Sequence, residues 1–270
     1  MNIELIYKKL NLKKKLKKNQ KKVFIEFNNQ KWKKLLDSFS KEKEIKKIDE
    51  NFFNKKILIY YKNKYNLIKF SRSKDIQAKI YYDYIKNFFN KERSVVEIGS
   101  GYGSIIFRLM KMKKIKNCFF YSLDNSINAI KIVKKIKRNN NIKNLKAEFC
   151  DLYKGKSKAK IPKNAIIYTS YCLHYGKKIS NKFIEYILKL KPSLVFHFEP
   201  IYELYKNDKT KSSKLIKNYF KFNDYSRNLL SMIKKYEKKR KIRIIKIKKN
   251  LISPNIFLPI SLIIWRPTNN

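Results

Sequence analysis

The sequence predicts an α/β fold: a mostly parallel, seven-stranded sheet with helices on both faces, preceded by a smaller cap. Three observations carry this reading. Val95-Val96-Glu97-Ile98 is a β-branched, strand-length run that passes through glycines at every second position, Gly99, Gly101 and Gly103, into Ile105, Ile106, Leu109 and Met110 at helical spacing. Six further strand-length apolar runs follow, at 118–124, 145–152, 165–169, 194–200, 242–247 and 260–265, with helical apolar faces between several of them. Alternation of this kind argues for parallel strands joined by crossover helices. The third observation is size: 270 residues, 43% of them apolar, suffice for one large domain with an appended cap.

Taken in order, residues 1–90 form the basic, helical and mixed cap. Residues 1 to about 22 read as a basic helical segment, nearly all polar from Lys13 to Lys22. Trp32, Leu35, Leu36 and Phe39 fall at helical spacing, Ile57 to Tyr61 reads as a strand, and Ile76, Ile80, Tyr84, Ile85, Phe88 and Phe89 make one helix face. Residues 91–270 form the main domain, opening on the glycine strand. The chain holds only five glycines and three stand here, where positive φ or a close approach to the backbone is needed. A strand–glycine turn–helix is the usual first βα turn of a nucleotide-binding sheet. The second strand, 118–124, ends on Asp124, a carboxylate about 20 residues past the glycines, where ribose hydroxyls find their partner. Ile127, Ile130, Val133 and Ile136 form the next helix face; the third strand ends on Asp151 and Leu152. The fourth strand, Ala165 to Thr169, runs into Ser170-Tyr171-Cys172-Leu173-His174-Tyr175; a helix at Phe183–Leu190 leads to the fifth, Leu194 to Pro200. Residues 201–240, rich in tyrosine, are expected to form helices over the pocket.

The run Glu97-x-Gly99-x-Gly101-x-Gly103 resembles, residue by residue, the first motif of the class I S-adenosylmethionine-dependent methyltransferases. The resemblance covers about residues 92 to 266. It implies a Rossmann-like mixed sheet whose last strand is antiparallel, and S-adenosyl-L-methionine as cofactor. It gives the glycine turn, with Ser100, to the methionine part of that cofactor, which Glu97 helps to hold through the loop. It gives Asp124, with Asn125 beside it, to the adenosyl ribose, Asp151 to the adenine amino group and Leu152 to the adenine ring. Ser170, on the same rim at the end of the fourth strand, is also expected to bind the cofactor. Transfer to a hydroxyl needs an in-line nucleophile and a group to take its proton. His174, just past the fourth strand, is the first expectation for that base; Glu199 is the second. His197 is expected to support the sheet core.

The net charge of +47 points towards nucleic acid or anionic surfaces, yet only eight of the 67 basic residues are arginine. Phosphate and base readers favour arginine for its bidentate fork. The lysine, asparagine and isoleucine richness matches AT-rich codon usage, so the charge predicts non-specific, salt-sensitive adhesion to nucleic acid. No run reaches the ~18 apolar residues of a membrane helix, and the charged N-terminus does not read as a secretory signal. Cys118, Cys150 and Cys172 lack metal spacing and suit a reducing, cytoplasmic setting without disulfides or zinc. The proline pair of base amino-methyltransferases is missing at Thr169-Ser170-Tyr171-Cys172, and Cys172 lacks the proline of cytosine C5 enzymes. Glu97 to Gly103 and Ile263-Ile264-Trp265-Arg266-Pro267 are loosely similar to sugar O-methyltransferases of bacterial surface-polysaccharide clusters, although Asp124-Asn125-Ser126 departs from their Asp-Leu-Pro. The leading expectation is therefore an enzyme methylating a hydroxyl of a small molecule or sugar. The alternatives are an RNA-directed methyltransferase and a non-catalytic cofactor-binding module on the same fold.

Overall fold

The computed structural model describes residues 23–38, 44–90 and 94–268. The expected basic helix over 1–22 and Phe39 lie outside the described residues. In the cap, a π-helical segment (Ile25–Trp32) runs into α1 (Lys33–Asp37), followed by α2 (Ile45–Phe52), the antiparallel hairpin β1 (Lys56–Tyr61) and β2 (Lys64–Lys69), and α3 (Phe70–Phe88). Lys62 and Asn63 both take positive φ at the hairpin tip, the backbone that matches the twist of a two-residue turn.

The main sheet follows: β3 (Ser94–Ile98), α4 (Ile106–Leu109), β4 (Phe119–Asp124), α5 (Ile127–Asn139), β5 (Leu145–Asp151), β6 (Lys156–Ser157), β7 (Ile166–Ser170), α6 (Asn181–Lys189), β8 (Leu194–Pro200), α7 (Lys211–Phe222), α8 (Leu229–Lys238), β9 (Ile242–Ile252) and β10 (Ile260–Pro267). The strand order is β6-β5-β4-β3-β7-β8-β10-β9. Five central strands are parallel, and the last strand, β10, runs antiparallel between β8 and β9. The eighth strand, beyond the seven expected, is the two-residue β6. Asp151 Oδ1 accepts the N–H groups of Tyr153 and Lys154, which turns the chain back so that Cys150 and Asp151 pair with Ser157 and Lys156.

Strands buried on both faces read as continuous apolar runs rather than alternating ones. Val95, Phe120, Tyr168 and Phe198 face a core shared with the cap and α3 to α5. Their neighbours Val96, Tyr121, Ile167 and Val195 face a second core, closed by α6 and α8. The helix after the glycines spans only four residues, and the lysine-rich 111–117 that follows buries Ile115 alone. Among the described residues no helix is long and apolar enough to cross a membrane.

The candidate active site

A cleft of about 800 Å³ opens at the carboxyl ends of β3, β4, β5 and β7. The connections that leave the adjacent strands β3 and β7 run in opposite directions here, to β4 and to β8, and open α/β sheets bind ligands at such a switch point. Its floor is the strand-end rim: Glu97, Gly99, Ser100, Gly101, Asp124, Asn125, Asp151, Leu152 and Ser170 all line it.

Each floor residue is held by local chemistry. Gly99 sits at φ +77°, and a Cβ there would lie 2.5 Å from the Cys172 sulfur, so only glycine lets the loop after β7 pack this closely. Glu97 is buried; its Oε2 accepts the Tyr168 hydroxyl at 2.8 Å and its carboxylate also accepts the Ile106 N–H. Burial pushes the Glu97 carboxyl up to about 8, partly opposed by the Tyr168 bond and by Lys74. The Asp124 oxygens accept the Gly101 and Ser126 N–H groups, each at 2.8 Å. Burial raises the Asp124 carboxyl, and these bonds oppose the rise. The Ser126 hydroxyl in turn caps α5 by accepting the Ala129 N–H at 3.1 Å. Ser100 and Ser122 hydroxyls pair at 2.7 Å, and Ser170 pairs with Tyr81 at 3.0 Å.

Three expected site residues stand elsewhere. Gly103 does not line the cleft; at φ +83° it lets the Phe107 ring and Val133 pack against the turn, where a Cβ would lie 2.9 Å from Phe107. His174 is buried behind the cleft wall, its ring against those of Tyr171, Tyr175 and Tyr225 and its Nδ1 3.6 Å from Glu199. Glu199 is fully buried, and its carboxylate accepts the N–H groups of Cys172 and Leu173 at 3.0 to 3.2 Å, fixing the loop after β7. Strand-end position alone put both groups on the rim, but their side chains turn under the loop. The expectation of a general base at either residue is corrected accordingly. Residues 201–240 do form helices, but none of them lines the cleft: α8 packs on the sheet and α7 backs the tyrosine loop. His197 lies in the sheet core between the Thr169 hydroxyl and the Trp265 indole.

The roof comes instead from the cap. Phe27, Trp32, Phe53, Lys55, Phe70 and Lys74 line the cleft opposite the floor, joined by Tyr102 from the glycine turn and by Tyr171 and Tyr175 after β7. The roof is bolted to the floor by a buried ionic knot. Arg108 of α4 meets Asp49 of α2 and Asp75 of α3, each at 2.8 Å, while Asp49 accepts the Tyr102 hydroxyl at 2.5 Å and the Ser104 hydroxyl at 3.0 Å. Burial raises the Asp49 carboxyl and Arg108 pulls it back. Asn28 of the π-helical segment adds a second tie: its side-chain oxygen accepts the Ser126 hydroxyl at 2.7 Å.

Lys74 is a site residue that sequence reasoning did not single out. Its ammonium makes no hydrogen bond or ion pair among the described residues and lies 5.2 Å from the Phe70 ring centre. Burial lowers its pKa, with Asp49 and Glu97 opposing and Arg108 adding to the fall. An acid on the floor, Glu97, and a base on the roof, Lys74, thus face one cleft beside the glycine turn. That pair is complementary to the two ends of an amino acid, so the cleft can take the methionine part of an adenosyl cofactor.

Fold and site together define an open α/β sheet built to hold an adenosyl cofactor over a glycine turn. The chain belongs to the methyltransferase domain family, whose model matches residues 89–246. It is an enzyme of the S-adenosylmethionine-dependent methyltransferase type, with that cofactor. Solved structures share the fold. The plantazolicin methyltransferase BpumL is 16% identical with a TM-score of 0.51, the match covering 99% of this chain and 100% of that one. The magnesium protoporphyrin IX methyltransferase ChlM of Synechocystis PCC 6803 is 12% identical with a TM-score of 0.54, over 73% of this chain and 85% of that one. The small RNA methyltransferase HEN1 is 15% identical with a TM-score of 0.52, over 75% of this chain and 26% of that one. No curated protein matches the chain in sequence.

Proposed function

We propose that this enzyme transfers the methyl group of S-adenosylmethionine to a hydroxyl of a small-molecule acceptor, sugars included, bound beneath the cap. The observation that supports this most is the roof. Cap residues line the cleft opposite the glycine turn and give it a ring-rich wall of the kind that takes small molecules. In this reading Glu97 and Lys74 hold the amino and carboxylate ends of the methionine part, with Gly99, Ser100 and Gly101 beneath it. Asp124 and Asn125 take the ribose, and Asp151 and Leu152 the adenine. When bound, the cofactor supplies a sulfonium methyl that is already electrophilic. The chain's own residues orient the acceptor and exclude water from it. Cys118, Cys150 and Cys172 form no disulfide among the described residues, and their use as thiols supports a reducing, cytoplasmic setting.

The test is incubation with methyl-labelled S-adenosylmethionine and a cell extract at ~0.3 M salt, where adventitious phosphate binding is weakened. Label is expected in small molecules or glycans. Label in RNA would overturn the reading and make the basic charge functional.

A further inference from the structure

We infer that the β1–β2 hairpin docks the protein on a bilayer with anionic headgroups, Leu67 and Tyr65 entering the interface and the hairpin lysines meeting the lipid phosphates. This goes beyond the methyl-transfer reading and does not depend on it. The first observation is an apolar face left open. Ile57, Ile59, Tyr61 and Ile68 turn inwards and pack into the core. Alternation puts Leu58, Tyr60, Tyr65 and Leu67 on the opposite face. The register sets Leu58 beside Leu67 and Tyr60 beside Tyr65, and the two tyrosine rings meet at 5.0 Å between centroids. Leu67 is 63% exposed and Tyr65 53%, the highest values among the large apolar side chains described. A sheet with one free face ordinarily turns polar residues to water. This chain is rich in lysine and asparagine, yet it places leucine and tyrosine there.

The second observation is the charge that frames this face. Lys55, Lys56, Lys62, Lys64 and Lys69 are all exposed, and no acid lies between Lys55 and Lys69. Lys56 stands directly opposite Lys69 on the apolar face, at the foot of the hairpin, and Lys62 and Lys64 flank its tip. Like charges opposite each other in a ladder destabilise it, and an anion seated beside them relieves that cost. Composition accounts for the lysines but not for the exposed leucine and tyrosine between them. Size then selects the partner. Four side chains on a two-stranded ribbon cover roughly a few hundred Å², well below the ~800 Å² that each partner of a stable protein pair buries. A bilayer asks for no such area. Apolar groups that enter it, tyrosine at headgroup level and lysines that reach the phosphates along their stems each add to the hold.

The experiment is sedimentation of the full chain with phosphatidylcholine vesicles, with or without phosphatidylglycerol. The whole chain is basic, so charge alone draws it towards anionic vesicles, and the decisive variants change no charge. The parent should pellet with the anionic vesicles and stay in solution with pure phosphatidylcholine. Leu67→Ser combined with Tyr65→Ser should weaken the anionic binding about tenfold or more, the scale of one large apolar side chain kept out of the interface. Circular dichroism and S-adenosylhomocysteine affinity should stay unchanged in that variant. Lys131→Gln with Lys134→Gln, which removes charge from α5 and leaves the hairpin intact, should weaken binding less. In Tyr65→Trp, brominated phosphatidylglycerol should quench the added emission, with Trp32 and Trp265 of the parent as the blank. Equal vesicle binding by the parent and the Leu67–Tyr65 variant, or no quenching in Tyr65→Trp, would show that bulk charge alone holds the chain and would overturn the inference. A parent that is dimeric in solution and a Leu67→Ser variant that is monomeric would overturn it too, assigning the face to a second copy of the chain.

Discussion

The floor and the roof of the cleft are built on opposite principles. Floor residues Glu97, Asp124 and Asp151 are acids at or beside the ends of adjacent strands, held by backbone N–H groups and near neighbours. Roof residues Phe27, Trp32, Phe53 and Phe70 are rings from a cap that folds back over the sheet and is fastened by the Asp49–Arg108–Asp75 knot. The floor answers to a cofactor of fixed chemistry, so short local signals suffice. In the proposed reading the roof answers to the acceptor, and its shape depends on how distant segments meet.

The knot gives the sharpest way to separate the two. Asp49→Ala leaves Arg108 with Asp75, which is partly exposed, as its one anionic partner, and such a loss typically costs about 3–5 kcal/mol. Denaturant unfolding should show that loss. Acceptor binding should suffer more than binding of S-adenosylhomocysteine; equal losses would mean that roof and floor are not separable. Glu97→Gln comes next and turns on pH. The Glu97 carboxyl ordinarily titrates near 4.5 and stands at about 8 in the folded chain. The folded state therefore keeps a proton that the unfolded state releases. The stability this confers is complete below about 4.5 and is lost as pH rises towards 8. Glu97→Gln should remove that decline, leaving the ligand-free variant more stable than the parent at pH 8 by up to a few kcal/mol, on the order of what linkage allows. It should also weaken S-adenosylhomocysteine. Parallel melting curves between pH 5 and 8 for parent and variant would refute the buried-acid account.

Asp124→Ala acts on the floor alone and should weaken S-adenosylhomocysteine by roughly 1–3 kcal/mol through lost charge-assisted bonds. Unchanged calorimetric affinity would take Asp124 out of the ribose site. The smallest effect belongs to Ser126→Ala, which removes the α5 cap and the tie to Asn28, for a stability loss of about 1 kcal/mol. A melting temperature within error of the parent would show that neither bond counts.

Most of the sheet could be read in advance because its signals are local. Leu194 to Pro200 spans the observed strand end for end, and the glycine turn announces its own backbone. On the same side, every expected floor residue except Gly103 lines the cleft. His174 and Glu199 misled because position along a strand end says nothing of which way a side chain turns. Only the packed loop shows Glu199 beneath it, accepting two N–H groups. Lys74 gave no signal at all, being one lysine in a chain full of them.

By itself, then, the sequence determined the α/β class, the succession of strands along the chain and the acids at their ends, because the 2-residue and 3.6-residue periods and the glycine turn act over a few neighbouring residues. The tertiary structure alone decided the roof and the meeting of Lys74 and Glu97 at one cleft. Each of these brings together groups dozens of residues apart, and whether they meet depends on the packing of the whole core rather than on any stretch within it.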